Sequence, residues 1–223
     1  MGPDPHPDPS AGAGFFAHVP PEGASRMLNV LIVVAILSQF AAYEILLHLK
    51  SLFGSPGFIS YSDELQRRAV RKIFSLFSCY AGFRPILENR LDRDLPDRFM
   101  LVANHQSLID IPVVWRLLPE SRRIRFVAKR ELGVGIPLVS STLRVQGHGL
   151  VNRRGNMVQA MKSLERFGRR CRKDGSCPVI FPEGTRSRSG ELGVFHTAGF
   201  RKMMEIESLP VLVAAIDGGS WIA

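Results

Sequence analysis

Hydrophobic and polar positions change rhythm several times along the 223-residue chain. Residues 1–25 have none: Pro, Gly and Ala dominate, Asp4, Asp8 and Glu22 are the acids, and no Lys or Arg occurs before Arg26. Such a segment buries too little apolar surface to offset the entropy of ordering, so it is predicted to be a disordered tail. From Met27 to Tyr43 the chain is almost continuously apolar, broken by Asn29, Ser38 and Gln39, before it meets Glu44, His48 and Lys50. That length is at the lower limit of the ~17–25 residues that cross a bilayer. The acidic, cation-free stretch ahead of it is unlike the basic start of a cleaved signal peptide, so an uncleaved anchor is predicted.

A helical rhythm follows. Leu65, Ala69, Ile73, Leu76, Phe77 and Tyr80 form an apolar stripe, with Arg67, Arg68, Arg71 and Lys72 opposite. Ser62 is the predicted cap, with Asp63 and Glu64 in the first turn. Residues 26–82 are therefore expected to form a pair of membrane-anchoring helices, the second with its stripe at the acyl boundary and its cations against anionic headgroups. The alternative packs the stripe on a soluble core. If the first helix spans, the cation excess behind it places the remainder in the cytoplasm, and a monotopic pair would also keep it there.

Beyond Gly82 short β runs alternate with helical stretches, the pattern of an α/β domain. Residues 99–102, 124–128, 149–151, 179–181 and 211–216 read as buried strands. Met157, Met161, Leu164, Phe167 and Cys171 recur at helical spacing, and Asp174-Gly175-Ser176 reads as the turn into the next strand. The predicted architecture is one catalytic domain over residues 83–223, a mixed, largely parallel sheet flanked by helices.

Composition narrows the partners. A net charge of +9 implies attraction to an anionic membrane surface, nucleic acid or a phosphorylated substrate. Nucleic acid is disfavoured, because the basic residues have neither interleaved stacking aromatics nor a recognisable module. Cys79, Cys171 and Cys177 form no C-x-x-C pair and have no His at ligand spacing, so neither a disulfide framework nor a zinc site is expected, and a reducing compartment fits.

Two polar strings carry candidate chemistry. The first is Asn104-His105-Gln106-Ser107-Leu108-Ile109-Asp110. On a continuous helix this His-to-Asp spacing separates the side chains by about 140°, so they meet only if a turn intervenes, and the polar run after Val102 supplies one. A carboxylate bonded to one imidazole nitrogen fixes the tautomer and leaves the other nitrogen free to take a proton. The alternative makes Asp110 a helix cap ahead of Ile111-Pro112 and His105 a loop residue. The second string, Phe181-Pro182-Glu183-Gly184-Thr185-Arg186-Ser187, is rarer than about one in 10⁵ by chance in a chain of this length. A strand entering a Pro and Gly turn exposes backbone N–H groups and presents the Arg186 guanidinium to phosphate, with Arg188 adding charge. Glu183 is placed to orient Arg186 or to accept a bond from a substrate hydroxyl. On the Gly and Arg alone, a surface turn with an ion pair is the simpler account.

These strings resemble the blocks of the 1-acyl-glycerol-3-phosphate acyltransferases, within the wider glycerolipid acyltransferases. The resemblance runs from about Phe99 to Ile216: the N-H-x-x-x-x-D block at Asn104, His105 and Asp110, the F-P-E-G-T-R-S block at Phe181 to Ser187, and a Lys-x-Glu-Leu string at Lys129, Glu131 and Leu132 followed by Pro137. A further block looks like Gly147 to Arg153, with Asn152 where Asp is usual. Phe195-His196 stands where the family has Phe-Lys, and Leu209-Pro210-Val211-Leu212 continues into Val213 rather than toward a second Pro.

The resemblance implies that His105 is the base and Asp110 its orienter. It also implies that Arg153, Glu183 and Arg186 bind the acceptor, with Gly184 and Thr185 shaping that site. The implied reaction is acyl transfer to the sn-2 hydroxyl of lysophosphatidic acid from acyl-CoA or acyl-carrier protein, with no cofactor, no metal and no covalent acyl-enzyme. Ser107 has no strained nucleophile elbow around it. The expected location is the cell inner membrane or another membrane, catalytic domain on the cytoplasmic side. Two alternatives stay open: another acceptor (a lyso-ornithine lipid, a lysophospholipid or glycerol 3-phosphate), or a non-catalytic lipid-binding membrane protein.

Overall fold

In the computed structural model, five short strands, β1 (Met100–Ala103), β2 (Ile124–Lys129), β3 (Gly149–Val151), β4 (Cys177–Ile180) and β5 (Val211–Ala214), form one sheet in the order β3-β2-β4-β1-β5. The structure describes residues 22–54, 57–81, 86, 88, 94–152, 156–187 and 189–218. Every strand pairing among them is parallel, in keeping with the largely parallel sheet expected. A parallel sheet needs both faces covered, which is why its inner strands are mostly apolar, the buried Arg125 of β2 being an exception.

The pleat sends alternate residues to opposite faces. In β1, Leu101 and Ala103 join Phe99, Val114, Trp115, Phe126 and Val179 in the cluster under α2 (Phe58–Ala81) and α3 (Asp110–Leu117). Met100 faces the other way, to Phe167, Cys171 and Met203 under α5 (Met157–Asp174) and α6 (Thr197–Ile206). Each fully buried Leu, Phe or Met contributes about 1.5–3 kcal/mol. Helix α5 ends at the expected turn, where Gly175 stops it at φ 72°, and at its start Asn156 accepts from Val158 N at 2.7 Å. Between β2 and β3 lie a 3-10 turn, Arg130–Gly133, and α4, Val139–Val145.

The N-terminal segment departs from expectation. Helix α1 spans Glu22–Leu52, so it begins inside the predicted tail and runs on past Glu44, His48 and Lys50. Residues 1–21 of that tail lie outside the described residues. Glu44 explains the continuation: its carboxylate accepts Leu138 N at 2.9 Å and the Ser141 hydroxyl, which plugs α1 into the start of α4. Tyr43 and Leu47 are buried beside it with Leu65, Ala69 and Leu138. The stretch Val30–Leu52 is long and apolar enough to cross a membrane, and most of its large apolar side chains are exposed.

Helix α2 starts at Phe58, not at Ser62. Ser62 and Asp63 are buried within it, and Asp63 makes a two-pronged ion pair with the buried Arg125 of β2, at 2.9 and 3.0 Å. A partner on the sheet has thus taken the side chain that the local pattern assigned to the helix start. Because α2 also contributes Val70 and Phe74 to the main core, the packing runs across the boundary expected at residues 82 and 83. Cys171 and Cys177 are buried, while Cys79 is exposed on α2.

Candidate active site

The loops that leave the C-terminal ends of β1 and β4 are neighbours because those strands are paired, and crevices at such ends are where open parallel sheets bind ligands. Residues 104–109 form the turn that the His-to-Asp spacing required, and α3 begins at Asp110. Asp110 is fully buried and collects three donors on its Oδ2: His105 Nδ1 at 2.8 Å, Gln106 N at 2.6 Å and Ser107 N at 2.8 Å. The two backbone bonds fix the carboxylate, and the carboxylate fixes the ring. With Nδ1–H donating to Asp110, Nε2 keeps its lone pair for an incoming proton. The Phe181 ring lies over the imidazole, centroids 4.4 Å apart and planes 20° apart, and shields that face from water.

The second string holds the first in place. Glu183 is buried and accepts His105 N at 2.8 Å with Oε1 and Gly193 N at 2.9 Å with Oε2. The sequence alone places Glu183 to orient Arg186 or to accept a bond from a substrate hydroxyl; here each of its oxygens accepts a backbone N–H, because both loops lack a ladder partner there, and no ion pair to Arg186 occurs among the described residues. Ser187 N donates to His105 O at 2.7 Å, Gln106 Nε2 to Gly190 O at 2.9 Å, and His196 N to Pro182 O at 2.8 Å. Asn104 ties the same turn to the end of β5, donating to Ile216 O and accepting from Ile216 N, both at 2.7 Å.

Gly184 takes φ 68°, a left-handed turn, and Thr185 and Arg186 follow it, exposed. No ion pair among the described residues engages the Arg186 guanidinium, which leaves its donors available to an anion. The structure thus brings His105, Asp110, Glu183, Gly184, Thr185 and Arg186 to one end of the sheet. Arg153 and Arg188 lie outside the described residues. Ser107 is buried and its hydroxyl accepts Ile109 N at 3.3 Å, a structural use. Burial pushes the Cys171 thiol up to about 12, so it is no nucleophile.

Sequence reasoning gave no role to Gln106 or to His148. His148 is buried beneath the site: its Nδ1 accepts Phe126 N at 2.9 Å and its Nε2 bonds Gln146 Oε1 at 2.9 Å, while Gln146 Nε2 donates to Ser62 Oγ at 3.1 Å. Stacked rings continue from His148 through Phe126 to Phe181, and so to His105. The only signal in the sequence was a His inside an apolar block next to Gly149.

A family model described as Acyltransferase matches residues 87–217. A 1-acyl-sn-glycerol-3-phosphate acyltransferase from Cocos nucifera is 31% identical over 121 residues, covering 54% of this chain and 38% of that protein. One from Chlamydomonas reinhardtii is 27% identical over 195 residues, covering 82% and 54%. A probable one from Mycoplasma pneumoniae is 26% identical over 201 residues, covering 86% and 71%. The chain thus spans 38% and 54% of the lengths of the first two relatives. The crystal structure of the 1-acyl-sn-glycerophosphate acyltransferase PlsC from Thermotoga maritima superposes with a TM-score of 0.65 at 22% identity, over 86% of this chain and 73% of that one, a likeness of fold.

Proposed function

The chain belongs to the acyltransferase family, and from that premise we propose that it transfers a fatty acyl group from a thioester donor to the sn-2 hydroxyl of 1-acylglycerol 3-phosphate, giving phosphatidic acid. The observation that carries this is the 2.8 Å bond from His105 Nδ1 to a fully buried Asp110, which frees Nε2 beside a turn bearing an uncommitted Arg186. Nε2 takes the hydroxyl proton as the oxygen attacks the thioester carbonyl; the C–O bond forms, the C–S bond breaks, and the proton passes to the departing thiolate. Base catalysis of this kind contributes ~10²- to 10⁴-fold, and holding acceptor and donor together supplies much of the rest. Binding of the acceptor phosphate by Arg186 does that positioning, with Gly184 and Thr185 shaping the turn. Several similar proteins are named for this reaction, which supports the choice of acceptor.

The exposed apolar side chains of α1, among them Val30, Val33, Val34 and Leu37, support attachment to a membrane, where a lysolipid substrate resides. The charge of +9 favours an anionic surface such as the inner face of a cell membrane. A second reading, an acceptor other than lysophosphatidic acid, is favoured by Asn152 and His196 standing where the family has Asp and Lys.

The test is transfer of a labelled acyl group from a thioester to lysophosphatidic acid and to its phosphate-free analogue by the full chain in membranes. Transfer to the phosphorylated acceptor, lost in His105→Ala and made indifferent to phosphate in Arg186→Ala, supports both assignments. Equal use of the two acceptors by the wild type removes the phosphate clamp.

A further inference from the structure

The proposed reaction leaves the donor without a site, and the edge of the sheet farthest from β5 offers one. Between β3 and α5 runs an open groove of about 610 Å³, within the ~300–1,000 Å³ range of small-molecule sites. Arg130, directly after β2, lines it together with Lys162, Arg166 and Arg169 of α5. Leu150 adds an apolar contact and Asn152 a polar one. The one acid, Glu165, is bonded to Arg169 at 2.8 Å, and its carboxyl is held below its ordinary value first by that bond and by Arg169's charge, then by Lys202 and Lys162. With Glu165 so engaged, Arg130, Lys162 and Arg166 still give the hollow a net positive charge.

We propose that this groove binds the phosphorylated nucleotide of an acyl-CoA donor. The inference rests on the acyl-transfer reading above and assigns the donor within it. Adenosine 3′-phosphate 5′-diphosphate carries about four negative charges at neutral pH, matched by the cations, and a planar base to cover Leu150. Parallel strands are about 4.8 Å apart, and β3 is three places from β1, so the lateral offset between the groove's strand and the strand that carries the His105 turn is roughly 14 Å. The phosphopantetheine arm, a dozen or so single bonds of about 1.5 Å, covers that span. The acceptor clamp at Arg186 follows β4, between the two, so donor and acceptor approach His105 from different directions. A protein carrier would need roughly 800 Å² of contact on this chain, whereas these cations are gathered in one concavity.

Two readouts test this on the full chain in detergent micelles. Binding of adenosine 3′,5′-bisphosphate, followed by calorimetry without acceptor, reads the groove independently of turnover. Donor preference, the ratio of KM for S-acyl-pantetheine to KM for acyl-CoA, reads it during catalysis. The wild type is expected to bind the bisphosphate and to favour acyl-CoA. The double variant Lys162→Ala/Arg166→Ala weakens both by about tenfold or more, the worth of one or two charge-assisted bonds. Arg172→Ala, at the far end of α5, alters neither. No bisphosphate binding, equal use of the two donors, or a double variant that keeps its preference overturns the proposal, as does loss in that variant of an acyl-carrier protein donor alone. Bisphosphate binding without transfer from any donor instead overturns the acyl-transfer reading and leaves the groove an anion site.

Discussion

Glu183 joins the two halves of the site: one of its oxygens takes the backbone N–H of His105 at 2.8 Å and the other that of Gly193 at 2.9 Å. At 4% exposed, Glu183 is a buried carboxylate that links the two loops through the chain itself. Glu183→Gln keeps the shape but turns an NH₂ group toward one of those N–H donors, leaving it unsatisfied at about 1–3 kcal/mol. The expected result is a lower melting temperature and a fall in kcat of about tenfold or more, with a smaller change in the KM for acceptor. A variant that changed only acceptor KM would restore Glu183 as a binding group.

Replacing the base and replacing its orienter have different signatures. His105→Ala removes the proton acceptor and is expected to cost ~10²- to 10⁴-fold in kcat without loss of fold, because the ring is at the rim of the core. Asp110→Asn swaps an acceptor of three bonds for an amide, so the ring tautomer and the Gln106 and Ser107 N–H groups are disturbed together. A fall in kcat of similar size together with a lower melting temperature is predicted, measured by initial rates and by thermal unfolding. Full activity in Asp110→Asn would disconnect it from the base.

Much of this was legible in the sequence, for physical reasons that also mark where legibility ended. The strands showed because parallel strands are apolar on both faces, and α5 because its stripe and its Gly175 stop are local. Helices α4 and α6 went unread, and α3 appeared only in the alternative that made Asp110 a helix cap: α4, Val139–Val145, has seven residues and two adjacent serines, and Glu44, far off in the chain, takes the Leu138 N–H just ahead of it and the Ser141 hydroxyl. Ser62-Asp63-Glu64 has the composition of a helix start, but Arg125, 62 positions away from Asp63, decides otherwise. The His105 and Asp110 pair was visible because its partners are five residues apart. The bonds of Asn104 to Ile216 and of Gln106 to Gly190 close over 112 and 84 positions, and nothing local announces them.

The ion pair of Asp63 with Arg125 is the polar bolt of α2 onto the sheet. Arg125 is 1% exposed and Asp63 6%, so removal of one partner strands the other charge. Asp63→Ala is predicted to destabilise the fold by about 3–5 kcal/mol, read by denaturant unfolding in micelles. Pairing it with Arg125→Leu is predicted to recover much of that loss, since two uncharged side chains leave no buried charge behind. Equal losses in the single and double variants would mean that the pair acts through shape.

His148 sets an acid limit on the fold. Burial, aided by the charge of Arg125, lowers its pKa to about 3. Its Nδ1 accepts a backbone N–H, so a proton there has no room without breaking that bond. The native state holds the ring neutral, whereas the unfolded chain takes up the proton near 6.5. The unfolded state thus binds more protons between those values, and stability rises with pH across that window. As pH falls from about 6.5 toward about 3, His148 is predicted to remove on the order of 1 kcal/mol of stability per pH unit, and above 6.5 it contributes no slope. His148→Gln retains hydrogen bonding without a titratable group, so it should unfold less steeply with acid than the wild type even if it is less stable at pH 8. Parallel stability curves for the two proteins between pH 7 and pH 5 would show that His148 is not the group being protonated.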